Sequence, residues 1–177
     1  YHYVRTKDEI FTLVVDAVMG EVVVPDDDPL PADWRDALVR IAQRSRDAML
    51  RHPWILDITD DPPLGPNSVR HFDQTLQAVA ALDLSLAEQL DIVSLVDEYV
   101  FGYCLHERTH LHDDATTGAA VRDMKDYVAG LVATGAYPQI AHHARTIGLD
   151  AMWAALTEHE QDSSRFERNL RRILDGV

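Results

Sequence analysis

Sulfur chemistry is almost absent from this chain. One cysteine, Cys104, excludes an intrachain disulfide. The 177 residues must therefore hold together by burial. A chain of this length buries roughly 70% of the surface it exposes when unfolded, enough to fold without staples. No apolar run approaches the roughly 20 residues of a membrane span, so no membrane partner is expected. Positive charge is scarce: 16 Lys and Arg stand against 30 Asp and Glu, a net charge of -14. A body this acidic is repelled by phosphate backbones, which excludes nucleic acid as its direct partner but leaves room for a separate basic domain. Sustained period-two alternation is also missing, which argues against a half-buried sheet. There is no glycine-rich phosphate loop and no Ser-His-Asp order, so no catalytic residue, cofactor or resident metal is expected. The lone thiol fits a reducing cytoplasm.

What is present is helical period nearly throughout. The expected fold class is all-α, a helical bundle. A first helix spans about Lys7 to Val23, with Ile10, Leu13, Val14, Ala17 and Val18 as its apolar stripe. A second runs from Asp33 to His52, where Pro53 stops it. Trp54 to Ile58 is a short apolar piece. A third helix, capped by Asn67 or Ser68, ends near Leu82 and carries Val69, Phe72, Leu76, Val79 and Ala80. The fourth, about Leu86 to His112, is the longest, and its apolar residues fit no single narrow stripe. Such a helix is buried on more than one side. Further helices are expected at about Thr117 to Ala133, Tyr137 to Thr146 and Leu149 to Leu156, with a mobile polar stretch at Glu158 to Ser163. A last helix opens at Ser164 with a clean stripe of Phe166, Leu170, Ile173, Leu174 and Val177. Three capping boxes punctuate the chain: Thr6 with Glu9, Ser85 with Glu88, and Ser164 with Glu167.

One motif points elsewhere. His106-Glu107-Arg108-Thr109-His110 matches H-E-x-x-H, in which two histidines one turn apart bind zinc and the glutamate acts as base. That supports an alternative reading as a zinc-dependent hydrolase. Against it, Asp113 and Thr116 stand where an extended motif needs glycine and histidine, and no third ligand is apparent downstream. A ligand-free helical interaction module is a further alternative. The adjacent His142 and His143 point about 100° apart on a helix and do not serve one ion easily.

Three stretches resemble the TetR family of transcriptional regulators, with a tetracycline-repressor-like regulatory domain. The first is Tyr1-His2-Tyr3-Val4-Arg5-Thr6-Lys7-Asp8-Glu9-Ile10, similar to the exit of that family's DNA-recognition helix. The second is Gly65-Pro66-Asn67, then Leu84-Ser85, then Tyr99-Val100-Phe101-Gly102-Tyr103. The third is Phe166 to Val177, closing in Leu174-Asp175-Gly176. The resemblance implies that residues 1–4 are a remnant of the recognition helix and that 5–177 form a ligand-binding and dimerisation domain. It further implies a repressor that is not an enzyme. Such a protein is a homodimer, and only the full-length form contacts operator DNA, through a helix-turn-helix. Tyr1, His2 and Lys7 then fall at DNA-contacting positions. The dimer forms through a four-helix bundle of the long and last helices, for which Val100, Cys104, Phe166, Leu170, Ile173 and Leu174 are the candidates. An unknown small, largely apolar effector is expected in the core. Candidate lining residues are Trp54, Phe72, Leu76, Tyr99, Tyr103, His106, Tyr127, Met152 and Trp153.

Overall fold

The computed structural model describes residues 6–58, 64–112 and 118–177. Among them the ordered elements are all helical. They are α1 (Lys7–Val22), α2 (Trp34–Arg51), a short 3-10 helix (Pro53–Asp57), α3 (Pro66–Val79), α4 (Leu86–His112), α5 (Gly118–Ala133), α6 (Pro138–Ile147), α7 (Leu149–Gln161) and α8 (Arg165–Leu174). The chain divides into two units, one of residues 1–108 with 166–177 and one of residues 109–165.

In the first unit, local chemistry sets the helix starts. The Thr6 hydroxyl accepts from Glu9 N at 3.1 Å. The Asp33 carboxylate accepts from Arg35 N and Asp36 N at 2.9 and 3.0 Å. Ser85 and Glu88 close the expected box, with Ser85 N donating to Glu88 Oε2 at 2.8 Å. Each such cap contributes about 1 kcal/mol. α3 begins differently. Its N-cap is Gly65, which brings no side chain of its own. The carboxylate comes from α1 instead, because Asp16 Oδ1 accepts from Asn67 N at 2.9 Å and from Ser68 N at 3.3 Å. The expectation of Asn67 or Ser68 as cap is corrected accordingly: both are capped residues.

Leu38, Ile41, Val79, Val96, Val100, Cys104, Leu170 and Leu174 form the centre of the core, contributed by α2, α3, α4 and α8. A smaller cluster of Val18, Val22 and Ala48 joins α1 to α2. The sequence stripes of α1 and α3 are rotated relative to what is buried. α1 buries Val15, Val18 and Val22 and leaves Ile10, Leu13 and Val14 bare. α3 buries Thr75, Ala78 and Val79, while Val69 and Phe72 are exposed. Both helices carry apolar residues on two faces, and periodicity alone does not say which face finds a neighbour.

The last helix also changes role. Phe166, Leu170 and Leu174 are sealed against this chain's own core, as are Val100 and Cys104 on α4. These five were candidates for the dimer surface. They are consumed by folding, and of the six only Ile173 keeps partial exposure. The Glu167 carboxylate accepts from Gln43 Nε2 at 3.0 Å and from Arg171 Nε at 2.8 Å, so it is turned away from a box with Ser164.

In the second unit, α6 and α7 meet at Gly148, whose φ of +85° favours glycine. α7 runs on to Gln161, so the expected mobile stretch from Glu158 is helical as far as Gln161. Burial here is slight. Of its described residues with a burial assignment, only Ala141 and Arg165 are buried.

Candidate functional site

The first unit contains a cavity of about 300 Å³ bounded by α1, α2, the 3-10 helix, α3 and α4. Ligand pockets span roughly 300–1,000 Å³, so this one suits a small molecule. Val18, Met19 and Val22 of α1 form one wall. Ala48, Met49 and Ile55 form the next, and Val100 and Phe101 of α4 face them. Three polar side chains interrupt this apolar lining: Ser45, His71 and Asp97.

His71 and Asp97 are the only titratable groups on the lining. Neither side chain has a hydrogen-bond or ionic partner among the described residues. Desolvation lowers the His71 pKa, which keeps the imidazole neutral near pH 7. Asp97 is an exposed residue on the lining, and the apolar groups beside its carboxyl raise its pKa to about 6. Two titratable groups with shifted pKa values, converging on one largely apolar cavity, mark a candidate functional site.

Several hydrogen bonds tie the α1 wall to the rest of the unit. Asp16 caps α3, and Asn67 Nδ2 returns a hydrogen bond to Asp16 O at 3.0 Å. Gln74 of α3 grips the backbone beyond α1, donating to Val24 O at 2.8 Å and accepting from Val24 N at 2.9 Å. Arg44 of α2 donates to the carbonyls of Glu21, Val22 and Val23 at 2.7–2.8 Å. These bonds satisfy carbonyls that a helix C-terminus leaves unpaired.

The nine ligand candidates from the sequence are scattered. Tyr99 and Tyr103 pack with Phe166 at centroid distances of 4.9–5.9 Å, and Tyr99 Oη donates to Phe166 O at 2.9 Å. Leu76 packs against the main core. Trp54, Phe72, His106 and Tyr127 are exposed. Met152 is half-buried, and Trp153 lines an open hollow of about 880 Å³ in the second unit, beside Lys125 and Asp150. None of the nine lines the 300 Å³ cavity. Asp97 was the missed signal: a carboxylate set within one turn of Val93, Val100 and Phe101 on a long apolar helix.

Of the DNA-contact candidates, Tyr1 and His2 lie outside the described residues. Lys7 is exposed at the first turn of α1. In the H-E-x-x-H motif, Glu107 is engaged by Arg46, whose Nη2 lies 2.7 Å from Glu107 Oε1 and whose Nε lies 3.2 Å from Oε2. Both carboxylate oxygens of Glu107 are thus held by Arg46 instead of facing a bound metal or water. The His110 side chain lies outside what the structure describes. Among the described residues no group of three or more His, Cys, Asp or Glu is placed to hold a metal. None of the described helices is long and apolar enough to cross a membrane.

Comparison with known proteins gives a consistent picture. Residues 27–177 match the family described as tetracyclin repressor-like, C-terminal domain. An HTH-type transcriptional regulator of Saccharopolyspora erythraea is 33% identical over 125 residues, covering 70% of this chain and 52% of the relative. The HTH-type transcriptional repressor DrrR1 of Streptomyces coeruleorubidus is 26% identical over 186 residues, covering 100% of this chain and 63% of the relative. The chain thus spans between half and two thirds of the length of these two curated relatives. The crystal structure of the Streptomyces coelicolor protein ActR in complex with actinorhodin superposes with a TM-score of 0.68 at 26% identity, over 99% of this chain and 78% of ActR. Apo ActR gives a TM-score of 0.59 at 24% identity, over 93% and 75%.

Proposed function

Because the chain belongs to the tetracyclin repressor-like family, a family of transcription regulators and not of enzymes, we propose that it is the effector-sensing part of a DNA-binding repressor. The effector is a small, largely apolar molecule, and its site is the cavity walled by Val18, Met19 and Val22. One observation carries this reading: the helix that lines the cavity is the same helix whose N-terminal half stands bare. Ile10, Leu13 and Val14 expose an apolar face there, suited to packing against a DNA-reading segment. A ligand pressing on Met19 therefore acts on the element that would hold that segment. By population shift, a ligand that fits one tilt of α1 better than the other moves the equilibrium toward it. In a dimer that tilt sets the spacing of two DNA-reading heads. The crystal structure of ActR in complex with actinorhodin supports a small-molecule effector for this chain without naming it. A full-length repressor acting on DNA would work in the cytoplasm.

The test fills the cavity. Ala48 is buried on its wall. Full-length protein carrying Ala48→Phe is expected to bind operator DNA like the parent and to lose release by any effector found in a compound screen. Retained release by that effector would place its site elsewhere.

A further inference from the structure

The polar lining of the cavity is lopsided in charge. From α1 come only Val18, Met19 and Val22; from α2, Ser45, Ala48 and Met49; from the 3-10 helix, Ile55. The titratable groups facing inward are His71 from α3 and Asp97 from α4. No lysine or arginine reaches the lining. A carboxylate in such a place lacks an internal counter-ion, and a neutral imidazole does not supply one.

Resting on the reading that this cavity is the effector site, we propose that it selects lipophilic organic cations: a protonated amine on an apolar frame, with Asp97 as its counter-ion. The geometry favours this class over two others. An anion would meet the Asp97 carboxylate with no cation to offset it, in a chain of net charge -14. A neutral ligand fills the apolar walls but displaces water from the carboxylate without giving it a counter-charge. A cation fills the same walls and supplies that counter-charge through a charge-assisted hydrogen bond. The acidity of the whole chain also concentrates cations near its surface.

The pH dependence has a definite sign. Asp97 is charged above about pH 6, so cation preference is full near pH 7.5 and fades as pH falls through about 6. His71, with its lowered pKa, gains a proton only in acid, where it adds repulsion in the same direction. A cation also holds Asp97 ionised, so its binding near pH 6 releases protons to the buffer.

Three probes on one frame separate the possibilities: 1-naphthylmethylamine, 1-naphthylmethanol and 1-naphthoic acid, titrated calorimetrically into this chain. At pH 7.5 the amine is expected to bind about tenfold more tightly than the alcohol, the size of one hydrogen bond to a charged group. The acid is expected to bind weakest. In Asp97→Asn the amine and alcohol are expected to bind alike, with the alcohol unchanged from the parent, which shows the cavity intact. Equal binding of amine and alcohol by the parent overturns the cation proposal and leaves the cavity as effector site standing. A preference that survives Asp97→Asn overturns the assigned counter-ion. Failure of all three probes to bind overturns both readings.

Discussion

Gly65 is a glycine because Asp16 stands where its side chain would be. Its φ of -101° is open to any residue, so conformation is not the reason. A Cβ at this position would lie 2.1 Å from Asp16 Oδ1 and 2.6 Å from Asp16 Cβ. The whole aspartate would have to leave, and with it the cap on α3. Gly65→Ala is therefore expected to cost about 1–2 kcal/mol, the worth of a helix cap plus some local displacement. Asp16→Ala should cost a similar amount for the same reason. The two losses are one loss counted twice, so the double variant should be clearly less destabilised than their sum. Urea unfolding of the four proteins reads this directly. Strict additivity would mean that the close approach does not explain the glycine. The same residue-level reasoning separates Asp16 from Asp97. One carboxylate accepts from backbone N–H donors at a helix terminus; the other lines an apolar cavity, where desolvation raises its pKa.

At the scale of the element, α1 has two unlike halves. Its C-terminal end is pinned by Arg44 and Gln74, and Glu21 there joins Arg51 and His52. Its N-terminal half leaves Ile10, Leu13 and Val14 exposed. In the proposed tilt of α1, a helix held at one end would pivot there, with Arg44 as the fulcrum. Its planar guanidinium reaches three successive carbonyls, which a lysine ammonium on a flexible stem does not reproduce. Arg44→Ala is expected to lower stability by about 2 kcal/mol, in the range for hydrogen bonds to a charged donor. Arg44→Lys should recover less than half of it. Denaturant midpoints at constant slope are the measurement; full recovery by lysine would show that charge alone suffices. These elements also mark what the sequence can reveal. The span of α4, the stop at Pro53 and the caps at Thr6 and Ser85 were legible because each depends on residues close in the chain. The buried faces of α1 and α3 were not, since each has two apolar sides and a distant helix chooses between them. The cap on α3 was hidden for the same reason: its donor of charge is 51 residues away. The cavity escaped because large aromatics draw the eye, yet Tyr99 and Tyr103 are spent on packing with Phe166. The space that remains is lined by Phe101 and mostly aliphatic or sulfur-bearing side chains.

At the scale of the whole molecule, the unsatisfied surface is the lead. Phe166, Leu170 and Leu174 of the last stripe face inward, which leaves only the half-buried Ile173 and the exposed Val177 and turns attention to α4. The side of α4 opposite Val96 and Val100 carries Leu95, Gly102 and Leu105, with Leu95 40% and Leu105 39% exposed. Glycine inside a helix costs about 1 kcal/mol relative to alanine. Among the described residues nothing lies within 4 Å of where a Gly102 Cβ would be. They give no reason for that cost, whereas close approach by a second copy of α4 does. We therefore place the dimer interface proposed for this family member on that face. Two copies of net charge -14 repel one another, so the association must be apolar, and added salt should tighten it by screening. Leu95→Glu is expected to give a folded monomer, with helical circular dichroism unchanged and sedimentation slowed. Leu170→Glu should behave differently: Leu170 is fully buried within one chain, so a charge there unfolds the protein instead of parting two intact copies. A Leu95→Glu protein that still sediments as a dimer would move the interface off α4. The next surface in line would then be the bare Val121, Met124 and Tyr127 of α5, where the second unit has almost no core of its own to hide them.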